Sequence, residues 1–131
     1  MILLDTHLWF WFINQEVERY PHTWQDAFET TQCLAVSVVS CIEVALAQKK
    51  GRLILPCPLR EWIDEALEPS GITLLPLNIA ACVTATELSD IHRDPFDRLI
   101  MATVIEEDAT LATLDSVVKS YPEMRTHLLS D

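Results

Sequence analysis

Five acidic residues stand where regular elements begin or end along this chain: Asp5, Glu43, Asp94, Asp97 and Asp115. Carboxylates held within about 4–6 Å of one another repel and raise each other's pKa unless a cation sits between them. An all-oxygen, anionic donor set selects hard dications, Mg²⁺ or Mn²⁺. Two such ions roughly 4 Å apart can generate hydroxide and steady the leaving oxygen of a phosphodiester. The chemistry on offer is metal-assisted hydrolysis of a phosphate ester. Asp5, Glu43, Asp97 and Asp115 are the candidate metal acids, with Asp94 as a further one. A plainer use is open at each position, because an Asp that follows a strand often only caps the next helix, worth about 1 kcal/mol. Asp94, followed by Pro95, fits that use best, and Glu43 near a helix start also suits the helix dipole.

The elements that would bring these acids together are short and apolar. Ile2-Leu3-Leu4, Leu34 to Val38, Ile72 to Leu75 and Thr110 to Leu114 read as buried strands. Between them lie helical patterns at Leu8–Ile13, Trp24–Thr31, Leu59–Leu67, Ile79–Leu88 and Val117–Tyr121, with a polar connection at Asn14–Pro21. A further helix after the second strand is expected to take Ser40 as its cap, with Glu43 at the capping-box position in its first turn. It ends at Gly51, after Lys49 and Lys50. Asp94-Pro95 opens another helix, and His127–Leu129 reads as an edge strand.

Strands alternating with helices predict one α/β domain over residues 1–131, a parallel sheet covered on both faces. Ligands of such a sheet bind beyond the carboxyl ends of its strands. Asp5, Glu43 and Asp115 fall on that edge by topology. The helix opened by Asp94 and Asp97 joins them only if its N-terminus points the same way.

Composition narrows the setting. Half the residues are hydrophobic, enough to build a core, and the longest early apolar run, Leu8–Ile13, is too short to span a bilayer. Without a secretory pattern, the expected location is the cytoplasm. Cys33, Cys41, Cys57 and Cys82 lack zinc-ligand spacing, and three of them sit in apolar stretches, so they read as reduced, structural thiols. The net charge of −11, from nine basic residues against twenty acids, is unusual for a protein acting on a polyanion. Either the acids form a solvated surface, or several are gathered where a cation neutralises them.

The blocks carrying the acids resemble those of the PIN-domain family, in particular the VapC-type toxins. Leu3-Leu4-Asp5-Thr6-His7 with Trp11 resembles the family's opening strand and first metal acid. Ser40-Cys41-Ile42-Glu43-Val44-Ala45, with Lys49-Lys50-Gly51-Arg52-Leu53 after it, resembles the second-acid helix. His92 through Thr103 resembles the third block and Leu111-Ala112-Thr113-Leu114-Asp115-Ser116 the fourth. The blocks occur in family order and span nearly the whole chain. The resemblance implies a three-layer α/β/α sandwich around a mostly parallel sheet of four to five strands. It implies a metal-dependent endoribonuclease acting on RNA, held inactive by a cognate antitoxin, and a homodimer. It assigns metal binding to Asp5, Glu43, Asp97 and Asp115, supported by Thr6, Thr113 and Ser116, with Asp94 capping its helix or reaching the metal through water.

Other residues admit two readings. Arg93 and Arg98 flank the third acid and would meet substrate phosphates, or else sit as surface arginines. His7 and His92 are expected to be exposed or capping, since metal-activated water needs no imidazole base. Trp9-Phe10-Trp11-Phe12 puts aromatics on more than one side of a helix, so part of it would line a groove for a partner. That idea fails if Trp9 and Trp11 are both fully buried. Three other functions compete with this one: a phosphatase with an aspartyl nucleophile, a phospho-receiver domain, and a catalytically silent PIN-like binding module. His7 replaces the second Asp that the phosphatase needs. Thr6 follows Asp5 where a receiver needs an acidic pair, and the fourth strand is closed by Asp115 with no lysine directly after it.

Overall fold

The computed structural model describes residues 1–131. Its sheet has four strands, all parallel: β1 (Ile2–Leu4), β2 (Leu34–Ser37), β3 (Ile72–Leu75) and β4 (Thr110–Ala112), in the order β3-β2-β1-β4. Parallel pairing requires crossovers, and the helices provide them. They are α1 (Thr6–Ile13), α2 (His22–Thr30), α3 (Val38–Lys49), α4 (Leu59–Glu65), α5 (Ile79–Glu87), α6 (Pro95–Glu106) and α7 (Ser116–Lys119).

Alternation along each strand sorts the core into two layers. Ile2, Leu4, Leu34 and Val36 pack one face against Leu8 and Trp9 of α1, Trp24 and Phe28 of α2, and Trp62 of α4. Leu3, Ala35 and Leu111 face the other way, onto Ile100, Met101 and Val104 of α6 and onto Val118, Tyr121 and Met124 beyond it. The result is the expected three-layer sandwich. The aromatic run of α1 divides accordingly. Trp9 is fully buried, donates its indole N–H to the Ala66 carbonyl at 2.9 Å and packs edge-on against Trp62; Trp11 is only half-buried.

Several boundaries differ from the sequence reading, for local reasons. Helix α1 starts at Thr6 rather than Leu8, because Asp5 caps it. The cap of α3 is Ser37, whose hydroxyl accepts from the Val39 amide at 3.1 Å. Ser40 is therefore not a cap, and Glu43 lies in the second turn rather than the first. Strand β4 ends at Ala112, leaving Asp115 on the following turn as the cap of α7. The expected edge strand at His127–Leu129 reduces to a single parallel bridge, Leu111 to Leu128. Cys82 is exposed rather than buried, on the outer side of α5, and all four thiols are free.

Helix α3 ends in a Schellman motif: Arg52 N–H reaches Ala47 O at 2.9 Å and Gly51 N–H reaches Gln48 O at 3.1 Å, with Gly51 at φ +73°. No atom lies near enough to meet an added Cβ, so only the left-handed backbone resists substitution. Gly51→Ala is expected to lower unfolding free energy by about 1 kcal/mol without changing the urea m-value, as read by urea denaturation.

Candidate functional site

The strand order reverses direction at β1, with β2 on one side and β4 on the other, so the switch point lies between β1 and β4. Chains leaving neighbouring strands in opposite directions open a crevice there. Asp5 leaves β1 and Asp115 follows β4. Helix α6 directs its N-terminus to the same crevice, bringing Asp94 and Asp97, and α3 supplies Glu43. All five acids line one cavity of about 140 Å³, together with Thr6, His7 and Thr113, and no Lys or Arg is among its lining residues.

Three of these acids cap helices and face the cavity at once. Asp5 Oδ1 accepts from Leu8 N–H at 2.9 Å, Asp94 Oδ1 from Phe96 N–H at 2.9 Å, and Asp115 Oδ1 from Val117 N–H at 2.8 Å. Each cap uses Oδ1, and the structure gives Oδ2 no backbone partner. Capping and clustering are thus not rival uses of these side chains. The positive ends of α1 and α6 also meet here, offsetting part of the negative charge.

Glu43 and Asp97 cap nothing and are held by side chains instead. Thr6 donates its hydroxyl proton to Glu43 Oε1 at 2.6 Å. Having only one proton, Thr6 must then accept from the buried Ser40 hydroxyl at 2.9 Å. Asp97 Oδ2 lies 3.0 Å from His92 Nε2. His92, Asp94 and Asp97 are the one set of three whose donor atoms all lie within 4.8 Å of one another; the four metal acids expected from the sequence are spread more widely around the wall.

Burial and crowding together raise the proton affinity of these acids. Burial raises Asp5, Glu43 and Asp97 above the ordinary carboxylate range, and like charge adds to it: Asp115 on Asp5; Asp97, Asp94 and Asp5 on Glu43; Asp94 and Asp115 on Asp97. Hydrogen bonds from Thr113, Thr6 and His92 pull the three back in part. A cavity whose donors are mainly carboxylate and hydroxyl oxygens, with no Lys or Arg in its wall, fits a hard dication by its donor chemistry.

Two expected residues are placed elsewhere. Ser116 is exposed at the start of α7 and does not line the cavity. Arg98 turns away from it. Its guanidinium binds the carbonyls of Ala85, Leu88, Ser89 and His92 at 2.9–3.2 Å, and the Tyr121 hydroxyl at 3.3 Å. Its donors are spent on the end of α5 and the loop between α5 and α6, and it does not line the acid cavity. Arg93, by contrast, is exposed and in no ion pair.

Sequence reasoning passed over Ser40 and His92 as partners of the site. By sequence Ser40 reads as the cap that Ser37 in fact provides. The five-residue spacing of His92 and Asp97 spans a helix start, which periodicity does not describe.

The PIN domain family profile matches residues 2–124. This chain belongs to the PIN-domain family. It is 32% identical over 124 residues to Ribonuclease VapC22 of Mycobacterium tuberculosis, covering 95% of this chain and 94% of that protein. Its fold is similar to a VapBC2 structure from Rickettsia felis bound to a promoter DNA fragment, with TM-score 0.69 at 20% identity, covering 98% of both chains. FitAcB from Neisseria gonorrhoeae gives TM-score 0.62 at 20% identity, over 99% of this chain and 97% of that one. A toxin–antitoxin complex from Klebsiella pneumoniae also gives 0.62, at 16% identity and the same coverage.

Within this PIN fold, Arg98 fastens the loop that carries His92 and Asp94 to α6. Arg98→Ala leaves several carbonyls unpaired and is expected to cost about 2–3 kcal/mol. Amide hydrogen exchange should quicken across residues 88–94 before it does in the strands. Unchanged protection of that loop would mean that the guanidinium holds nothing in place.

Proposed function

We propose that this PIN domain, acting as one unit over residues 1–131, is an endoribonuclease that hydrolyses RNA phosphodiester bonds with the help of Mg²⁺ or Mn²⁺. The observation that carries the reading is the single cavity that gathers Asp5, Glu43, Asp94, Asp97 and Asp115 without a Lys or Arg. The relationship to a VapC ribonuclease supports it.

In this reading Asp5, Glu43, Asp97 and Asp115 hold the dication, and Asp94 joins directly or through water. When bound, the metal supplies Lewis acidity: it lowers the pKa of the attacking water and offsets charge on the phosphoryl oxygens. The remaining work falls to the chain. Thr6, itself held by Ser40, keeps Glu43 turned into the cavity. His92 keeps Asp97 there and so fixes which carboxylate oxygen is presented. Thr113 restrains Asp5. Arg93 is free to take a phosphate of the substrate.

The partners follow from the same kinship. A cognate antitoxin silences the enzyme, as suggested by the toxin–antitoxin complexes among its structural relatives. A homodimer buries the apolar side of α5, where Ile79 and Val83 lie one turn apart and exposed. No helix is long and apolar enough to cross a membrane, and with four free thiols the proposed location is the cytoplasm.

Cleavage of single-stranded RNA in Mn²⁺ should stop with chelator and fall at least about 100-fold in Asp5→Asn, with Thr6→Val losing about 10–100-fold as an outer-shell change. Cleavage that survives both chelator and Asp5→Asn would end this proposal.

Stability gives a second, activity-free measure. The raised carboxyls of Asp5, Glu43 and Asp97 bind more protons folded than unfolded. Their contribution to stability is complete below the unfolded values and is lost as pH rises through the folded ones. A dication takes over the protons' role. The Tm gain from millimolar Mg²⁺ is therefore expected to be larger near about pH 7.5 than near about pH 5, where protons compete for the same oxygens. A gain that is flat with pH, or absent, would count against ligation by these carboxylates.

A further inference from the structure

The loop between α5 and α6 carries His92 and Asp94 and has no regular structure of its own. A single turn near the end of the chain grips it: Pro122–Met124, with Tyr121 just before. Tyr121 is 1% exposed, in the core layer it shares with Ile100, Met101 and Val118. A phenylalanine would fill that space as well, so packing does not call for the hydroxyl. The hydroxyl is nevertheless fully engaged. It accepts from the His92 amide at 2.7 Å and from Arg98 Nη1 at 3.3 Å, and it donates to the His92 carbonyl at 3.2 Å. A hydroxyl has one proton and two lone pairs, and all three are used here, two of them on the backbone of one residue. An N–H and a C=O that point at the same oxygen leave His92 little backbone freedom. The direction in which its ring leaves the chain is thereby set, and Nε2 meets Asp97 Oδ2 at 3.0 Å.

Glu123, from the same turn, holds the start of the loop. Its Oε2 accepts from the Ser89 amide at 2.6 Å and its Oε1 from the Ser89 hydroxyl at 2.9 Å. Burial acts to raise the Glu123 carboxyl, but its own backbone amide, the Ser89 bonds and the Arg98 charge together hold it below its ordinary value. The stretch of chain that ends in this turn begins at Asp115, the cap of α7. One short segment thus supplies an acid of the cavity and anchors the loop that brings others to it.

We infer that Tyr121 and Glu123 are positioning residues for the acid cavity: they hold the backbone of His92 and Ser89 so that the His92 ring keeps Asp97 in the geometry a dication requires. The inference rests on the metal-nuclease reading above and adds residues outside the cavity on which its metal affinity depends. Neither side chain lines the cavity, so their effect must pass through the loop. Partners of metal ligands matter in this way because a carboxylate free to turn loses part of its binding energy to ordering.

The test is Mn²⁺ affinity of the full chain without RNA, read by electron paramagnetic resonance of the free ion, with circular dichroism confirming that each variant is folded. Tyr121→Phe keeps the ring and removes the hydroxyl, and should weaken Mn²⁺ binding about 3- to 10-fold, at or below the low end for a direct partner of a ligand. On a His92→Ala background the same change should lose its effect, because the hydroxyl acts through that ring. Glu123→Ala should also weaken Mn²⁺ binding, and Glu123→Gln, which keeps an acceptor for the Ser89 amide, should recover most of the loss. Glu123 is only half-buried, so its variants report even if Tyr121→Phe folds poorly. In cleavage at limiting Mn²⁺, kcat should fall with KM for RNA unmoved. The inference is overturned if Tyr121→Phe and Glu123→Ala bind Mn²⁺ as the parent does. It is equally overturned if the losses from Tyr121→Phe and His92→Ala simply add, which is what a purely structural hydroxyl would give, or if Glu123→Gln binds no better than Glu123→Ala. A parent chain that takes up Mn²⁺ while its variants do so equally well removes the positioning role and keeps the metal site. A parent chain that takes up none removes both.

Discussion

Several carboxylates that would rather be apart are forced together by the way the strands leave the sheet. Asp5 and Asp115 emerge on either side of the switch point, and two helices, α3 and α6, add three more acids to the same space. Burial makes the repulsion worse, because it removes the water that would screen it. Much of the surrounding structure counters that cost. Backbone amides at three helix starts take one oxygen each of Asp5, Asp94 and Asp115, and hydroxyl and imidazole groups steady Glu43 and Asp97. What they leave uncompensated is an excess of negative charge of the kind that a dication cancels.

The two layers beside the sheet contribute differently to this arrangement. On the α1 side the anchor is aromatic: Trp9 wedges against Trp62 and ties its indole to Ala66, which fixes the helix that Asp5 caps. On the α6 side it is polar. Arg98 gathers carbonyls from the end of α5 and from the loop after it, and the Tyr121 hydroxyl accepts from the His92 amide at 2.7 Å. A loop without regular structure thereby acquires fixed positions for His92 and Asp94. An arginine adjacent in sequence to one of the clustered acids thereby holds the loop beside that acid.

Much of the site was legible in the residues themselves. An Asp closing an apolar strand, or preceding Pro at a helix start, is recognisable because capping chemistry is local. What the caps hid was that a capped carboxylate retains a second oxygen for other work. Glu43 was found by its block, yet its turn of the helix was misjudged, since Ser37 and Ser40 are equally good caps on paper and only the end of β2 decides between them. Arg98 was misjudged because its partners are carbonyls, which every residue has and no sequence pattern marks. Trp9 and Trp11, two residues apart, could not be told apart as core and cleft wall without the neighbour that covers one of them.

By itself, then, the order of residues determined an α/β sandwich, a parallel sheet and the identity of the acids, because strand length, apolar alternation and helix starts are set by near neighbours in the chain. Tertiary structure alone decided that α6 points its N-terminus at the switch point, that His92 serves Asp97, and that Lys50 and Arg52 line one cleft with Trp11. Those facts join residues from separate elements, and their relative placement follows from how helices pack onto a twisted sheet, a geometry that no stretch of sequence contains.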